Sequence, residues 1–218
     1  MNFRKAVIFL CVLFLIISIP VKVCSEYEES KHIVLIDPGH GGIVGGAKSK
    51  NGTIEKDLNL DISNKLKDCL EEAGYTVFMT RSEDIQLHKS KREDLSIRCN
   101  MKKETHCEVF ISIHQNMFPQ ANCFGSQVWY SSNEKSKALA NIVQDSLKDN
   151  VGDNNKRVAK AAKEQYKILR DGYDGACILV ECGFLSNPDE EQRLKDSNHQ
   201  DKLVNSIKLG LEKYFQEN

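Results

Sequence analysis

The stretch that decides the fold is IVLIDPGHGG, residues 33–42, in which four aliphatic residues lead directly into a polar turn. A continuous apolar run that ends in Asp, Pro and Gly is typical of a buried strand leaving a sheet. Strands without polar alternation are typical of parallel sheets that are covered on both faces. The stretch therefore predicts an α/β domain with polar groups collected where its first strand ends.

Apolar runs and helical periodicities alternate through the rest of the chain. Strands are predicted at residues 33–36, 76–79, 109–113, 127–130 and 177–180, and helices at residues 58–73, 95–101, 136–147, 190–195 and 203–215. This alternation predicts an α/β fold of three layers, with a mostly parallel central sheet and helices on both faces.

Size and composition limit the classes of protein that need to be considered. The chain has 218 residues and a mass of 24.7 kDa, which corresponds to one domain. Hydrophobic residues make up 40% and charged residues 28%, a balance that excludes disordered and multi-span membrane classes. The formal net charge of -1 provides no positive field for a polyphosphate, so nucleic acid is not an expected partner.

Residues 1–25 form a separate segment at the N-terminus. Arg4 and Lys5 precede an apolar stretch, residues 6–19, which Pro20 ends. The stretch is shorter than the about 20 apolar residues that cross a bilayer, so a signal peptide is favoured and an uncleaved N-terminal anchor is the alternative. Both interpretations predict export across the cytoplasmic membrane, with one domain at residues 26–218.

Polar side chains follow three of the predicted strands. His40 follows the first strand, His114 the third and Glu181 the last. Because loops converge beyond the carboxyl ends of parallel strands, we expect these side chains on one rim of the sheet. The glycines around His40 do not form a phosphate-binding loop, since Ala47 stands where such a loop requires lysine.

Two imidazoles and one carboxylate on this rim would suit a metal of zinc type. Glu55 is the candidate carboxylate, because it lies in the loop between the first strand and the first helix. Taken singly, Glu55 is equally well interpreted as a metal ligand or as an acidic residue near a helix start. His114 is likewise equally well interpreted as a ligand or as a histidine that closes a strand. Asn116 either orients a ligand or caps the loop.

Glu181 directly follows an apolar run, where a carboxylate is costly to desolvate and needs a partner or a task. General acid–base catalysis is one such task. The alternative is a structural ion pair with Arg81, Arg157 or Arg170.

Cys182, next to Glu181, indicates a different class of enzyme, in which a thiol nucleophile uses His40 or His114 as its base. That interpretation provides no role for the glycine-rich turn or for Glu55.

Several motifs together resemble one known family, the zinc-dependent N-acetylmuramoyl-L-alanine amidases. The resemblance covers roughly residues 33–215 and rests on five motifs in the family's order: IDPGHGG (36–42), EKDLNL (55–60), TR (80–81), SIHQN (112–116) and VECGFLSN (180–187). Linked motifs in a fixed order are far more specific than any one of them.

The resemblance implies roles for the candidate residues. It implies one zinc ion held by His40, Glu55 and His114, and a catalytic glutamate at Glu181. For Asn116 and Arg157 we expect contacts with substrate, with Arg157 holding a stem-peptide carboxylate.

The substrate implied by the resemblance is peptidoglycan, cleaved between N-acetylmuramic acid and L-alanine. An exported catalytic domain without wall-binding repeats most resembles the germination-specific, spore-cortex amidases, which act in muramic-lactam formation in the cell wall or spore cortex region. A vegetative autolysin of the same chemistry and a non-catalytic peptidoglycan-binding module are the alternatives.

Regulation by a partner is a further expectation. The stretch between His114 and Glu181 is too short for the inhibitory helix of some relatives, and two predicted ligands lie on glycine-rich loops. A partner that orders such loops would raise zinc affinity by linkage, so we expect an exported accessory protein that activates the enzyme.

Overall fold

The computed structural model describes residues 32–152 and 154–218. The predicted leader at residues 1–25 lies outside the described residues. Among the described residues, no helix is both long enough and apolar enough to cross a membrane.

A single mixed sheet forms the centre of the domain. Its strands are β1 (Ile33–Pro38), β2 (Thr76–Met79), β3 (Val109–Asn116), β4 (Gln127–Tyr130), β5 (Lys160–Ala161) and β6 (Ala176–Phe184). They lie in the order β2-β1-β3-β6-β4-β5, and every neighbouring pair is parallel except β4 with β6. The predicted, mostly parallel sheet is confirmed.

Helices cover the two faces of this sheet unequally. They are α1 (Glu55–Glu72), α2 (Lys91–Glu104), α3 (Glu134–Val151), α4 (Pro188–Lys195), α5 (Ser197–Glu217) and a short 3-10 helix (Lys167–Leu169). Helices α1, α3, α4 and α5 enclose the larger core, whereas α2 and the 3-10 helix cover the other face. The second face therefore has less helix over it.

Glu181, the predicted catalytic residue, belongs to this second face. Leu35 and Leu179 pack in the smaller core. Side chains two positions apart on a strand share a face, so Asp37 and Glu181 point to the same side as these leucines. The register of β3 with β6 places His114 directly opposite Glu181.

Three of the element boundaries that differ from the sequence-based expectation concern the candidate site. Strand β3 continues to Asn116 and β6 to Phe184, so His114 and Glu181 lie within strands instead of following them. Backbone pairing does not depend on side-chain polarity, which explains why polar residues at the strand ends stay in the ladder. Glu55 is the first residue of α1 and not part of the preceding loop.

Candidate metal centre and active site

The imidazoles of His40 and His114 meet at the carboxylate of Glu55. His40 Nε2 lies 3.2 Å and His114 Nδ1 lies 2.8 Å from Glu55 Oε1. One ligand atom from each residue lies within 4.8 Å of the others. Two imidazole nitrogens and one carboxylate oxygen suit a zinc ion and leave a fourth position for water or substrate. The structure therefore brings the three predicted ligands together as a candidate metal site.

Two glycines make room for this cluster. A Cβ on Gly39 would lie 2.3 Å from His114 Nε2, and a Cβ on Gly46 would lie 2.4 Å from Glu55 Oε2. Glycine is needed at both positions because any side chain would displace a ligand. His40 itself has a φ of 64°, a left-handed conformation that costs about 1 kcal/mol for a residue with a side chain.

Two buried arginines hold the turn around His40. Arg98 donates hydrogen bonds to the carbonyls of Pro38 (3.0 Å) and His40 (2.8 Å). Arg81 donates to the carbonyls of Pro38 (2.9 Å) and Gly39 (3.0 Å). Three consecutive carbonyls are thereby fixed, and this keeps the strained backbone of the histidine in place.

Asp37 balances the charge of Arg98 beneath the turn. Its Oδ1 accepts hydrogen bonds from Arg98 Nη1 and Thr80 Oγ1, each 2.6 Å long, and its Oδ2 accepts one from Ser112 Oγ at 2.7 Å. Burial acts to raise the pKa of Asp37, but the charge of Arg98 and the hydrogen bonds from Ser112, Thr80 and Arg98 together outweigh it and lower that pKa to about 2. The carboxylate therefore stays ionised.

Arg98 is a functional residue that our sequence analysis did not identify. It lies within α2, where an arginine is normally interpreted as part of the solvent-exposed face. The available signal was Asp37 itself, a carboxylate at the end of a buried strand that needs a cation. The sequence does not show which of its many basic residues answers that need.

Backbone amides complete the environment of Glu55. Ala47 N–H donates to Oε2 at 2.7 Å and Gln115 N–H donates to Oε1 at 3.2 Å. Burial acts to raise the pKa of Glu55, but hydrogen bonds with His114 and His40 hold it far below its usual value. Glu55 is therefore an ionised carboxylate that faces two imidazoles. An acidic residue that only stabilises a helix start would not need these contacts.

Glu181 lies beside this cluster and is 7% exposed. Its Oε1 accepts a hydrogen bond of 3.3 Å from the Tyr166 hydroxyl, and its Oε2 has no partner among the described residues. Burial raises the pKa of Glu181 to about 7, against the opposing charge of His114. A carboxyl group that titrates near neutrality can both take up and release a proton.

The interpretation of Glu181 as part of an arginine ion pair is not supported. Across residues 32–152 and 154–218, no arginine pairs with Glu181, and the three candidates are engaged elsewhere. Arg81 holds the turn described above, Arg157 Nε donates to Phe124 O at 2.8 Å, and Arg170 pairs with Glu164.

The two predicted substrate contacts lie in different surroundings. Asn116 ends β3, where its carbonyl accepts the Leu185 N–H at 2.8 Å, and its side chain is partly exposed two positions after His114. The guanidinium of Arg157 stacks 4.5 Å from the centre of the Phe184 ring. Arg157 thus supports a loop, and its contact with substrate remains a prediction.

Cys182 is poorly suited to act as a nucleophile. It is 2% exposed and packs in the larger core, on the opposite side of the sheet from Glu181. Burial raises the pKa of its thiol to about 12, so the reactive thiolate is scarce at neutral pH.

An α/β fold that places a two-histidine, one-carboxylate cluster beside a buried carboxylate is typical of one class of protein, the metal-dependent hydrolases. The family model for N-acetylmuramoyl-L-alanine amidase matches residues 34–213, and the chain belongs to that family. The predicted resemblance is confirmed, and the chain is an enzyme of this amidase type.

Two curated relatives are similar to most of the chain. The germination-specific N-acetylmuramoyl-L-alanine amidase of Bacillus subtilis is 36% identical over 197 residues, which are 86% of this chain and 81% of the relative. The probable cell wall amidase LytH of Staphylococcus aureus is 34% identical over 193 residues, which are 86% of this chain and 59% of LytH.

A solved structure shares the architecture closely. The CwlD amidase from Clostridioides difficile, solved in complex with the GerS lipoprotein, superimposes with a TM-score of 0.81 at 35% identity. The match covers 86% of this chain and 100% of that one. Another N-acetylmuramoyl-L-alanine amidase, from Clostridium difficile 630, gives a TM-score of 0.76 at 30% identity and covers 86% of this chain and 98% of that one.

Proposed function

We propose that this enzyme hydrolyses the amide between N-acetylmuramic acid and L-alanine in peptidoglycan and so removes stem peptides from glycan strands. The observation that carries the proposal is the position of Glu181, opposite His114 in the sheet and beside the cluster of His40, Glu55 and His114. Membership of the amidase family agrees with it.

The metal in this proposal is one zinc ion held by His40, Glu55 and His114. The donor set and the space left by Gly39 and Gly46 fit it. When bound, zinc supplies Lewis acidity for the scissile carbonyl and for the attacking water. Ala47 and Gln115 orient the Glu55 carboxylate through their backbone amides.

Glu181 moves the proton in the proposed reaction. Its free Oε2 takes a proton from water as the hydroxyl attacks the carbonyl carbon, and returns the proton to the amine nitrogen as the carbon–nitrogen bond breaks. The pKa of about 7 suits both steps, because the group is then neither a permanently charged base nor a permanently neutral acid.

The setting proposed for this activity is the spore cortex, with muramic-lactam formation needed for germination. The germination-specific relative in Bacillus subtilis supports this setting over a vegetative autolysin. Export through residues 1–25, as a cleaved signal peptide or an anchor, remains part of the proposal.

An exported accessory protein is a further part of the proposal. The CwlD structure contains a lipoprotein, GerS, bound to a similar domain. The expectation of loose ligand loops has less support, because Arg81 and Arg98 fix the carbonyls around His40. A partner would therefore act on other parts of the site.

The proposal is tested on purified sacculi, with the products analysed by mass. Wild-type protein loaded with zinc should release intact stem peptides. Glu181→Gln should bind zinc with unchanged stoichiometry and lose at least about 100-fold in kcat, because it cannot accept the proton. Glu93→Gln, on the exposed side of α2, is the matched control and should retain full activity.

Two competing functions give different results in the same assay. A binding module would retain sacculi and release nothing, even with zinc. A thiol enzyme would lose activity with iodoacetamide and keep it with a chelator, whereas we expect the reverse.

A further inference from the structure

The Glu181 carboxylate is held asymmetrically. The Tyr166 hydroxyl donates to Oε1 at 3.3 Å, whereas Oε2 is buried without a partner in the described part of the chain. Partial rotation of the carboxylate about its Cγ–Cδ bond would move the unbonded oxygen away from its present position. The single hydrogen bond to Oε1 therefore fixes the plane of the carboxylate and the place of Oε2.

Tyr166 reaches Glu181 from a segment that is fixed at both ends. Ala162 N–H donates to Tyr130 O at 2.9 Å before it, and Ile168 and Leu169 are buried in the smaller core after it. The ammonium of Lys102, itself fully buried, donates to Ile168 O at 2.6 Å. Contacts on both sides of Tyr166 therefore hold its backbone in place.

The ring of Tyr166 is also held from the side. It packs against the Trp129 ring with centroids 5.7 Å apart and an interplanar angle of 57°. Burial and the nearby charge of Glu181 raise the pKa of Tyr166 well above its ordinary value, so its hydroxyl keeps its proton as a donor.

We propose that Tyr166 is a positioning residue for the reaction, whose hydroxyl holds Oε1 of Glu181 so that Oε2 is the atom that exchanges the proton. This inference rests on the proposed function of Glu181. Without the hydroxyl, the carboxylate samples orientations in which Oε2 is misplaced. Errors of about 1 Å in such geometry can cost up to about 100-fold in rate.

Tyr166→Phe tests the proposal, since it removes the hydroxyl and keeps the ring against Trp129. We expect kcat to fall about tenfold, with KM within about twofold of wild type, because substrate binding is untouched. Zinc stoichiometry and affinity, measured by calorimetry, should not change.

Tyr173→Phe is the matched control. Tyr173 packs against the same smaller core, and its hydroxyl donates to a backbone carbonyl, Cys107 O, at 2.7 Å. This variant loses a hydrogen bond of similar burial without contact to Glu181, so its melting temperature should fall at least as far as that of Tyr166→Phe while its kcat stays at the wild-type value.

The outcomes separate this inference from the proposed function. If wild type releases no stem peptide, the proposed function fails. If Glu181→Gln is inactive and Tyr166→Phe retains the wild-type kcat, the positioning role alone is overturned. A rise in KM at unchanged kcat, or an equal loss in Tyr173→Phe, would also overturn it. If Tyr166→Phe does not fold, Trp129→Phe serves as the second test, because it loosens the packing of the Tyr166 ring and leaves the hydroxyl in place. This variant should lower kcat at constant KM. An unchanged kcat in Trp129→Phe would overturn the positioning role.

Discussion

At the scale of single residues, the space around the candidate metal site is set by glycines and not by the predicted ligands alone. Gly46 has a φ of 73°, and a Cβ there would meet Glu55 Oε2 at 2.4 Å and the His40 ring at 2.6 Å. Gly52, in the same loop region, has a φ of 95° and no atom within 4 Å of its Cβ position. A side chain would strain the backbone at both positions. Only at Gly46 would it also displace Glu55 and His40.

Gly46→Ala and Gly52→Ala therefore separate strain from ligand displacement. Both should lose about 1 kcal/mol of unfolding free energy, because alanine is disfavoured at positive φ. Zinc affinity measured by calorimetry should fall at least about tenfold in Gly46→Ala. The new methyl group would push Glu55 out of its orientation, and loss of the contacts that orient a metal ligand has an effect of that size. Equal affinity in the two variants would contradict the tight fit around the ligands.

At the scale of structural elements, the loop before α1 is tied to the start of α4. Glu191, 1% exposed, accepts hydrogen bonds from Ser49 Oγ (2.7 Å), Asn51 Nδ2 (2.8 Å) and Thr53 Oγ1 (2.5 Å). This loop leads directly into Glu55. The Glu191 carboxylate thus fixes the loop that leads into α1, the helix that carries the predicted metal ligand Glu55.

Glu191→Gln should loosen the connection between this loop and α4. The amide nitrogen of glutamine cannot accept the hydrogen bonds that Ser49, Asn51 and Thr53 donate to the carboxylate. We expect a loss of about 1–3 kcal/mol in unfolding free energy by urea denaturation. Faster amide exchange in residues 49–53 should accompany it. Asp189→Asn removes a charge in the same turn of α4 from an exposed side chain and should change stability by less than about 0.5 kcal/mol. Similar exchange rates in the two variants would show that Glu191 does not hold the loop.

At the scale of the whole molecule, the pair of Asp37 and Arg98 joins β1 to α2 across 61 positions of sequence. The side chains of the pair are 1% and 3% exposed. Since the folded pKa of Asp37 is about 2 and its ordinary value is 3.8, the stability that the ionised carboxylate gains from Arg98, Ser112 and Thr80 is complete above the ordinary value. It is lost as pH falls through about 2, and the loss amounts to about 2 kcal/mol.

Asp37→Asn should be destabilised by about 3 kcal/mol at neutral pH, because Arg98 keeps its charge and loses its partner. The difference from wild type should shrink as pH falls from about 5 to about 2, where wild type loses the same ion pair. Asp174→Asn, in an exposed pair with Lys135, should differ little from wild type throughout. A deficit of Asp37→Asn that stays constant over this range, measured by urea denaturation, would refute the assignment.

Much of this protein is determined by local sequence patterns. The apolar runs predicted five of the six strands, because a buried parallel strand needs aliphatic residues on both of its faces. The two-residue β5 has no such run and was not predicted. His40, His114 and Glu181 were identified because each comes after an apolar run, a property that a linear sequence displays directly.

The tertiary structure decided which of several possible partners each of these groups meets. The spacing of Glu55 left a ligand and a helix-start residue equally possible, and the structure places Glu55 both at the start of α1 and in contact with two imidazoles. Arg98 and Tyr166 could not be identified from sequence, because they lie on α2 and on the segment before the 3-10 helix, far along the chain from Asp37 and Glu181. Periodicity states which face of an element is buried, whereas the packing of elements against one another determines which side chains touch across that face.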